Sequence, residues 1–219
     1  MERATRDKFA ARTNDDLTSG NSCLETPRPL FDRINEELGP FDLDLCGDPA
    51  RHHLPRWLGP GSPLEEFDAL EAFWPAYGRR GFANPPYGPF VQRLMEWARQ
   101  MASAGCSSAL LLPLRITRAM KEHVIAPAPG DPAGAAALIF CDKRIPFLEN
   151  GLPRLNEAAW VREGKARADG ALFDSVIVCF EAGHRGPARL GVLEVPECVT
   201  KEDLERAAEL RRAQDLAKL

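Results

Sequence analysis

Apolar positions recur with two different periods along this chain. Leu30, Phe31, Ile34 and Leu38 fall three or four apart, the spacing of a helix with one buried face. Thr26 suits the N-cap of that helix, Pro27 its first position and Gly39 its stop. Phe41-Asp42-Leu43-Asp44-Leu45-Cys46 then alternates with a period of two, which predicts a strand. Carboxylates are costly inside a sheet, so an acid here is better placed at a strand end that meets a ligand. Residues 47–66 show no period and are rich in Pro, Gly and His, so they predict an extended loop. Long loops inside a domain are more often functional than idle.

The alternation of element types continues downstream. Gly81-Phe82-Ala83 predicts a short strand, and Pro89 to Ala104 a helix with Val91, Leu94, Trp97, Ala98 and Met101 on one face and Gly105 at its end. Ser108 to Leu112 predicts a buried strand, followed by a helix from about Thr117 to Ile125. A turn or linker is expected at Pro127–Pro132. Strands are expected at Ala135–Phe140, Ile145–Leu148 and Asp174–Phe180, with an irregular basic insertion over 149–170. Thr200-Lys201-Glu202-Asp203 is a capping pattern before a charged helix whose apolar face, Leu204, Ala208 and Leu216, is thin. Strands alternating with helices predict an α/β sandwich on a mostly parallel sheet. Residues 1–22 are polar and read as a loose arm, 23–198 as the domain, and 199–219 as a C-terminal helix.

Composition narrows the class. A chain of 219 residues with 44% hydrophobic and 27% charged residues suits one globular domain with tails. No run of 18 apolar residues predicts a membrane span, and the polar start is not a secretory signal. The expected location is the cytoplasm. The six cysteines are scattered without a Cys-x-x-Cys pair, so we expect reduced, mostly buried thiols and no metal. His52 and His53 are adjacent and would point apart, which suits a loop better than a metal pair. The net charge of −4 argues against broad affinity for polyanions, but its distribution is uneven. Over residues 143–167, Lys143, Arg144, Arg154, Arg162, Lys165 and Arg167 outnumber Glu149, Glu157 and Glu163. Arg115, Arg118 and Lys121 form a second basic cluster after a predicted strand end.

Asn84-Pro85-Pro86-Tyr87 carries the most chemistry. It joins a predicted strand to a predicted helix, so it belongs at the carboxyl edge of the sheet, where open α/β sheets bind ligands. The Asn84 side-chain oxygen and the Pro85 carbonyl can each accept a hydrogen bond from one amino group. Tyr87 offers a face on which a flat base can stack. Pro85 and Pro86 stiffen the loop, because each fixes its own φ and restricts its predecessor. Such a pair of acceptors holds an amino nitrogen for attack on an electrophilic methyl group.

At these residues the chain resembles the phage-type (Dam-like) DNA N6-adenine methyltransferases. The likeness runs from residue 24 to 181. It includes Thr26-Pro27, Leu30-Phe31-Asp32, Leu43-Asp44-Leu45-Cys46, Asp68-Ala69-Leu70 with Trp74, and Asn84-Pro85-Pro86-Tyr87-Gly88. It continues in Leu112-Pro113-Leu114-Arg115-Ile116-Thr117, Asp142-Lys143-Arg144-Ile145-Pro146-Phe147 and Ser175-Val176-Ile177-Val178. The resemblance implies a Rossmann-like class I methyltransferase sandwich with an antiparallel strand near the edge. It implies S-adenosyl-L-methionine as cofactor, DNA as substrate, and direct transfer to adenine N6 after base flipping. Asn84, Pro85, Pro86 and Tyr87 would be catalytic. Thr26, Pro27, Asp44, Cys46, Asp48 and Asp68 would face the cofactor, with Asp42 and Asp48 as alternatives to Asp44 for its main contact. Arg115, Arg118, Lys143 and Arg144 would meet DNA. Trp74 is expected in the core. The glycine-rich cofactor loop of the wider superfamily is reduced to Gly47, flanked by Cys46 and Asp48. An RNA adenine or a protein glutamine is the alternative acceptor, and a non-catalytic cofactor- or DNA-binding regulator the alternative class. A phage gene product would act in the bacterial host cytoplasm, where methylation evades restriction.

Overall fold

Continuous apolar runs become the middle of one six-stranded sheet. A computed structural model describes residues 24–64, 68–125, 134–163, 165–171 and 173–217. The strands are β1 (Leu43–Asp44), β2 (Arg80–Ala83), β3 (Ser107–Pro113), β4 (Ala137–Cys141), β7 (Ser175–Phe180) and β8 (Arg189–Leu193), ordered β1-β2-β3-β7-β4-β8. β7 is antiparallel to both β3 and β4, while the pairs β1–β2, β2–β3 and β4–β8 are parallel. Five strands therefore open their carboxyl ends on one edge. β5 (Leu148–Glu149) and β6 (Leu152–Pro153) form a separate antiparallel pair.

β3 and β7 are covered on both faces, which explains why they read as unbroken apolar runs rather than as alternation. Leu110, Leu112, Val176 and Val178 face helix α2 (Pro89–Ser103), which buries Leu94, Met95, Ala98 and Met101. Ala109, Leu111, Ile177 and Cys179 face the opposite way and share a core with α1 (Arg28–Leu38), which buries Leu30, Phe31 and Ile34. Each of these large side chains contributes roughly 1.5–3 kcal/mol by leaving water. Trp74 lies fully buried in a short 3-10 turn (Trp74–Ala76), its indole N–H donating to the Ala69 carbonyl at 2.8 Å.

Several elements depart from the expected bounds. α1 begins at Arg28, with Pro27 as its N-cap and no side-chain cap, so Thr26 does not cap the helix. The strand expected over 41–46 is reduced to Leu43–Asp44, although the Asp42 and Leu45 N–H groups still donate to the Arg80 and Phe82 carbonyls of β2 at 3.0 and 2.7 Å. The helix expected over 117–125 contains a π-helical stretch, Met120–Ile125. The basic insertion 149–170 is not irregular: it holds part of the β5–β6 hairpin and α3 (Glu157–Glu163). Ile145 is not in a strand, whereas Leu148 opens β5. β8 had no counterpart in the sequence reading. The arm 1–22 and the turn 127–132 lie outside the described residues. α4 (Lys201–Leu216) forms with the capping box predicted for it: Asp203 N–H donates to Thr200 Oγ1 at 3.1 Å, and Thr200 N–H to Asp203 Oδ2 at 2.9 Å. It rests on the insertion, with Arg211 paired to Glu157 at 3.0 Å and Arg212 over the Trp160 ring.

Candidate active site

β2 ends at Ala83, and the next four residues leave the sheet at its carboxyl edge. Pro85 is buried, Asn84 and Pro86 are half-buried, and Tyr87 is 36% exposed. Gly88 follows with φ +130°, a conformation open to glycine and closed to side chains, and it turns the loop into Pro89 at the start of α2. The Asn84 amide donates through Nδ2 to the Leu24 carbonyl at 3.1 Å. That bond fixes the amide plane and directs Oδ1 away from Leu24 as an acceptor. Leu24 is held in turn by its neighbour Glu25, whose N–H and C=O bond to Leu148 at 2.8 and 3.0 Å.

The loop separates two clefts. The first encloses about 490 Å³ of open space and is lined by Leu24, Glu25, Thr26, Asp44, Cys46, Asp48, Arg51, His53, Phe82, Asn84 and Pro86. Asp44 is 3% exposed, and its carboxylate accepts from the Cys46 N–H at 3.1 Å and the His53 N–H at 3.0 Å. Burial pushes its pKa up to about 6, against the opposing pull of those N–H groups and of His52. Asp48 turns back on its own loop, bonding Ala50 N–H and the Arg51 guanidinium. His53 stacks on Phe31 with ring centroids 4.4 Å apart, and burial lowers its pKa to about 4. His52 stacks instead on Trp57, so the two imidazoles diverge. Thr26 is 4% exposed, and its buried hydroxyl has no hydrogen-bond partner.

The second cleft is larger, about 2020 Å³, and less polar. Tyr87, Met95, Leu112, Arg115, Met120 and Phe173 line it, with Arg154 and Asp169 on its far side. The Arg115 guanidinium lies 3.7 Å from the centroid of the Phe173 ring, a cation–π contact that flattens and orients it. Burial pushes the Tyr87 phenol up to about 12, so it stays neutral at any working pH.

The structure thus brings Thr26, Asp44, Cys46, Asp48, Asn84 and Pro86 to one cleft and Tyr87 and Arg115 to the other. The remaining sequence-predicted residues lie outside both. Pro27 caps α1, and Pro85, within the loop, is buried and lines neither cleft. Asp68 Oδ1 accepts from Leu70 N–H at 2.8 Å, a local turn contact. Asp42, the alternative to Asp44, binds the N–H groups of Arg79 and Arg80 at the start of β2, away from the carboxyl edge. Arg118 is 90% exposed and pairs with Glu122 at 2.7 Å. Lys143 and Arg144 are exposed just past β4, with Arg144 3.4 Å from Asp174. Glu25, Arg51 and Phe173 line the clefts without having been singled out in the sequence, and His53, read there as a plain loop residue, lines the polar one. Only Glu25 carried a signal, its place beside Thr26-Pro27.

Five cysteines are described, all free, and among the described residues no cluster of acids, histidines and cysteines is placed to hold a metal ion. No described helix is long and apolar enough to cross a membrane. No curated protein matches the chain. Residues 16–157 match the family described as DNA N-6-adenine-methyltransferase (Dam), well over half of the sequence, and the match spans α1, both walls of the polar cleft and the Asn84 loop. The chain therefore belongs to the DNA N-6-adenine-methyltransferase (Dam) family and is a site-specific, adenine-directed DNA methyltransferase.

Proposed function

We propose that the polar cleft holds S-adenosyl-L-methionine and that the larger cleft receives an adenine turned out of the DNA stack, with methyl transfer to N6 across the Asn84–Tyr87 loop. One observation carries this reading: the loop forms a wall of both clefts, Asn84 and Pro86 on the polar side and Tyr87 on the other. The polar cleft suits the cofactor because it holds a buried, unpartnered donor, the Thr26 hydroxyl, and the carboxylates of Asp44 and Asp48. When bound, the cofactor supplies an electrophilic methyl group on a sulfonium.

The chain's own residues then have simple tasks. Asn84 Oδ1 accepts one N6 hydrogen and the Pro85 carbonyl accepts the other, which holds the nitrogen in line at near-attack distance. Leu24 keeps the Asn84 amide from turning over. Tyr87 stacks on the base, which must leave the duplex to expose its amino group. A proton leaves the methylated nitrogen to water. Arg115, Arg118, Lys143 and Arg144 would contact phosphates, giving affinity and salt dependence rather than sequence choice. On a phage genome in a bacterial cytoplasm, such a mark would shield sites from restriction.

The test is transfer of tritiated methyl from S-adenosyl-L-methionine to DNA, RNA and protein by wild type and Asn84→Ala. Wild type should label adenine in DNA. The variant should lose at least about a hundredfold in rate, the scale set by removal of one preorganised polar group, with cofactor affinity within a few fold of wild type. Label on RNA or on protein glutamine instead would transfer the reading to those acceptors. Cofactor binding with no transfer to any of them would make the chain a regulator.

A further inference from the structure

The polar cleft holds three carboxylates, and they are not equally engaged. Both Asp44 oxygens already accept backbone N–H groups. Asp48 is bound by its own loop and by Arg51. Glu25 is different. Its carboxylate accepts from the β5–β6 turn, with the Gly151 N–H 3.2 Å from Oε1 and the Asn150 N–H beside it, and no cation lies within ion-pair distance of it among the described residues. Its backbone is fixed on both sides by Leu148. It is a half-buried carboxylate, desolvated enough to raise its pKa, with capacity to accept from a cation in the cleft. Arg51 faces the same space from the loop after β1 and is close enough to Glu25 to act on its ionisation. Thr26 lies next to Glu25, with its buried hydroxyl unpartnered in the same cleft.

An anionic acceptor, a cation and a free hydroxyl around one cleft match the ends of an α-amino acid. We infer that Glu25 receives the ammonium and Arg51, with the Thr26 hydroxyl, the carboxylate of the methionine moiety of the cofactor; this rests on the reading of the polar cleft as the cofactor site. Asp44 is then left for the neutral, hydroxyl-bearing part of the ligand. The arrangement also explains why a single glycine, Gly47, suffices after β1. Recognition of the charged end comes from the N-terminal segment and from a side chain, not from a row of backbone N–H groups.

The experiment is calorimetric titration of the full chain with two probes. S-adenosylhomocysteine carries the amino-acid end, and 5′-methylthioadenosine lacks it. Glu25→Gln keeps a carbonyl oxygen for the Gly151 N–H while removing the charge. Wild type should bind both probes. Glu25→Gln should weaken S-adenosylhomocysteine by about tenfold or more, the effect of one lost charge-assisted hydrogen bond, and leave methylthioadenosine unchanged. Arg51→Gln should repeat that split. Equal losses for both probes, or no loss for either, would overturn the assignment for the residue tested. A wild-type chain that binds neither probe would instead remove the cofactor reading of the cleft itself.

Discussion

Asp44 should make the stability of this protein depend on pH in a direction opposite to that of an ion-paired acid, whose pKa falls on folding. Its carboxyl is pushed up to about 6 because burial outweighs its backbone donors, whereas an unfolded Asp titrates near 3.9. A folded state with the higher pKa binds the proton more tightly, so ionisation of Asp44 subtracts stability. The subtraction is absent below about pH 4, grows as pH rises towards 6, and is complete by about pH 7. A shift of about two units is worth about 3 kcal/mol. Asp44→Asn removes the titration. It also leaves one of the Cys46 and His53 N–H groups facing an amide NH2, a cost that does not vary with pH. Urea unfolding of wild type and Asp44→Asn at intervals from pH 4 to 7.5 isolates the titrating part. The difference between variant and wild-type unfolding free energies should rise by about 2.5 kcal/mol over that range, in favour of the variant, because the unfolded carboxyl is already about half ionised at pH 4. Parallel curves would refute the argument, because they would mean that the carboxyl does not change its charge preference on folding.

Three further outcomes follow from the geometry. Tyr87→Phe should keep methylation rates within about twofold, because a phenol that stays neutral contributes its face rather than its proton, whereas Tyr87→Ala should weaken capture of an extruded base by about 1–3 kcal/mol, read from 2-aminopurine fluorescence at the target adenine. Arg115→Ala should lower DNA affinity and reduce the slope of log affinity against log salt by about one, in filter binding across 50–200 mM salt; an unchanged slope would remove Arg115 from the phosphate contacts. Thr200→Ala should cost about 1 kcal/mol through loss of the capping box, seen as a lower melting temperature.

What the sequence revealed is what depends on near neighbours. α1, α2, β3 and β7 are long enough for their periods to be counted, and the Asn84 loop announces itself by residues that touch one another in the chain. β8 escaped because its Leu190 and Val192 are more than 70% exposed, so no core-facing alternation marks it, and Gly191 interrupts it. The β5–β6 hairpin did carry a signal, the Asn150-Gly151 pair, both with positive φ, a common residue pair for a tight hairpin turn. Flanking strands of two residues each were too short to draw attention to it. The partners of Asn84 were out of reach for a different reason. Leu24 lies 60 residues away, and its role passes through a carbonyl, which every residue has. The stacking of Arg115 on Phe173 likewise joins residues just past β3 and on the approach to β7, which the antiparallel pairing of β7 with β3 brings together.

That reversed strand has a consequence for how the enzyme can change. Because β7 runs against its neighbours, the chain reaches it from the side where the other strands finish, and the stretch between β4 and β7 supplies Phe147, Arg154, Asp169, Gly170, Ala171 and Phe173 to the larger cleft. Slack can be added to or removed from that stretch before the chain re-enters the sheet, leaving the pairing of β2 with β3 untouched. The remainder of that stretch can therefore change in length, provided that Leu148 and Gly151, which hold Glu25 beside the Asn84 loop, stay in place.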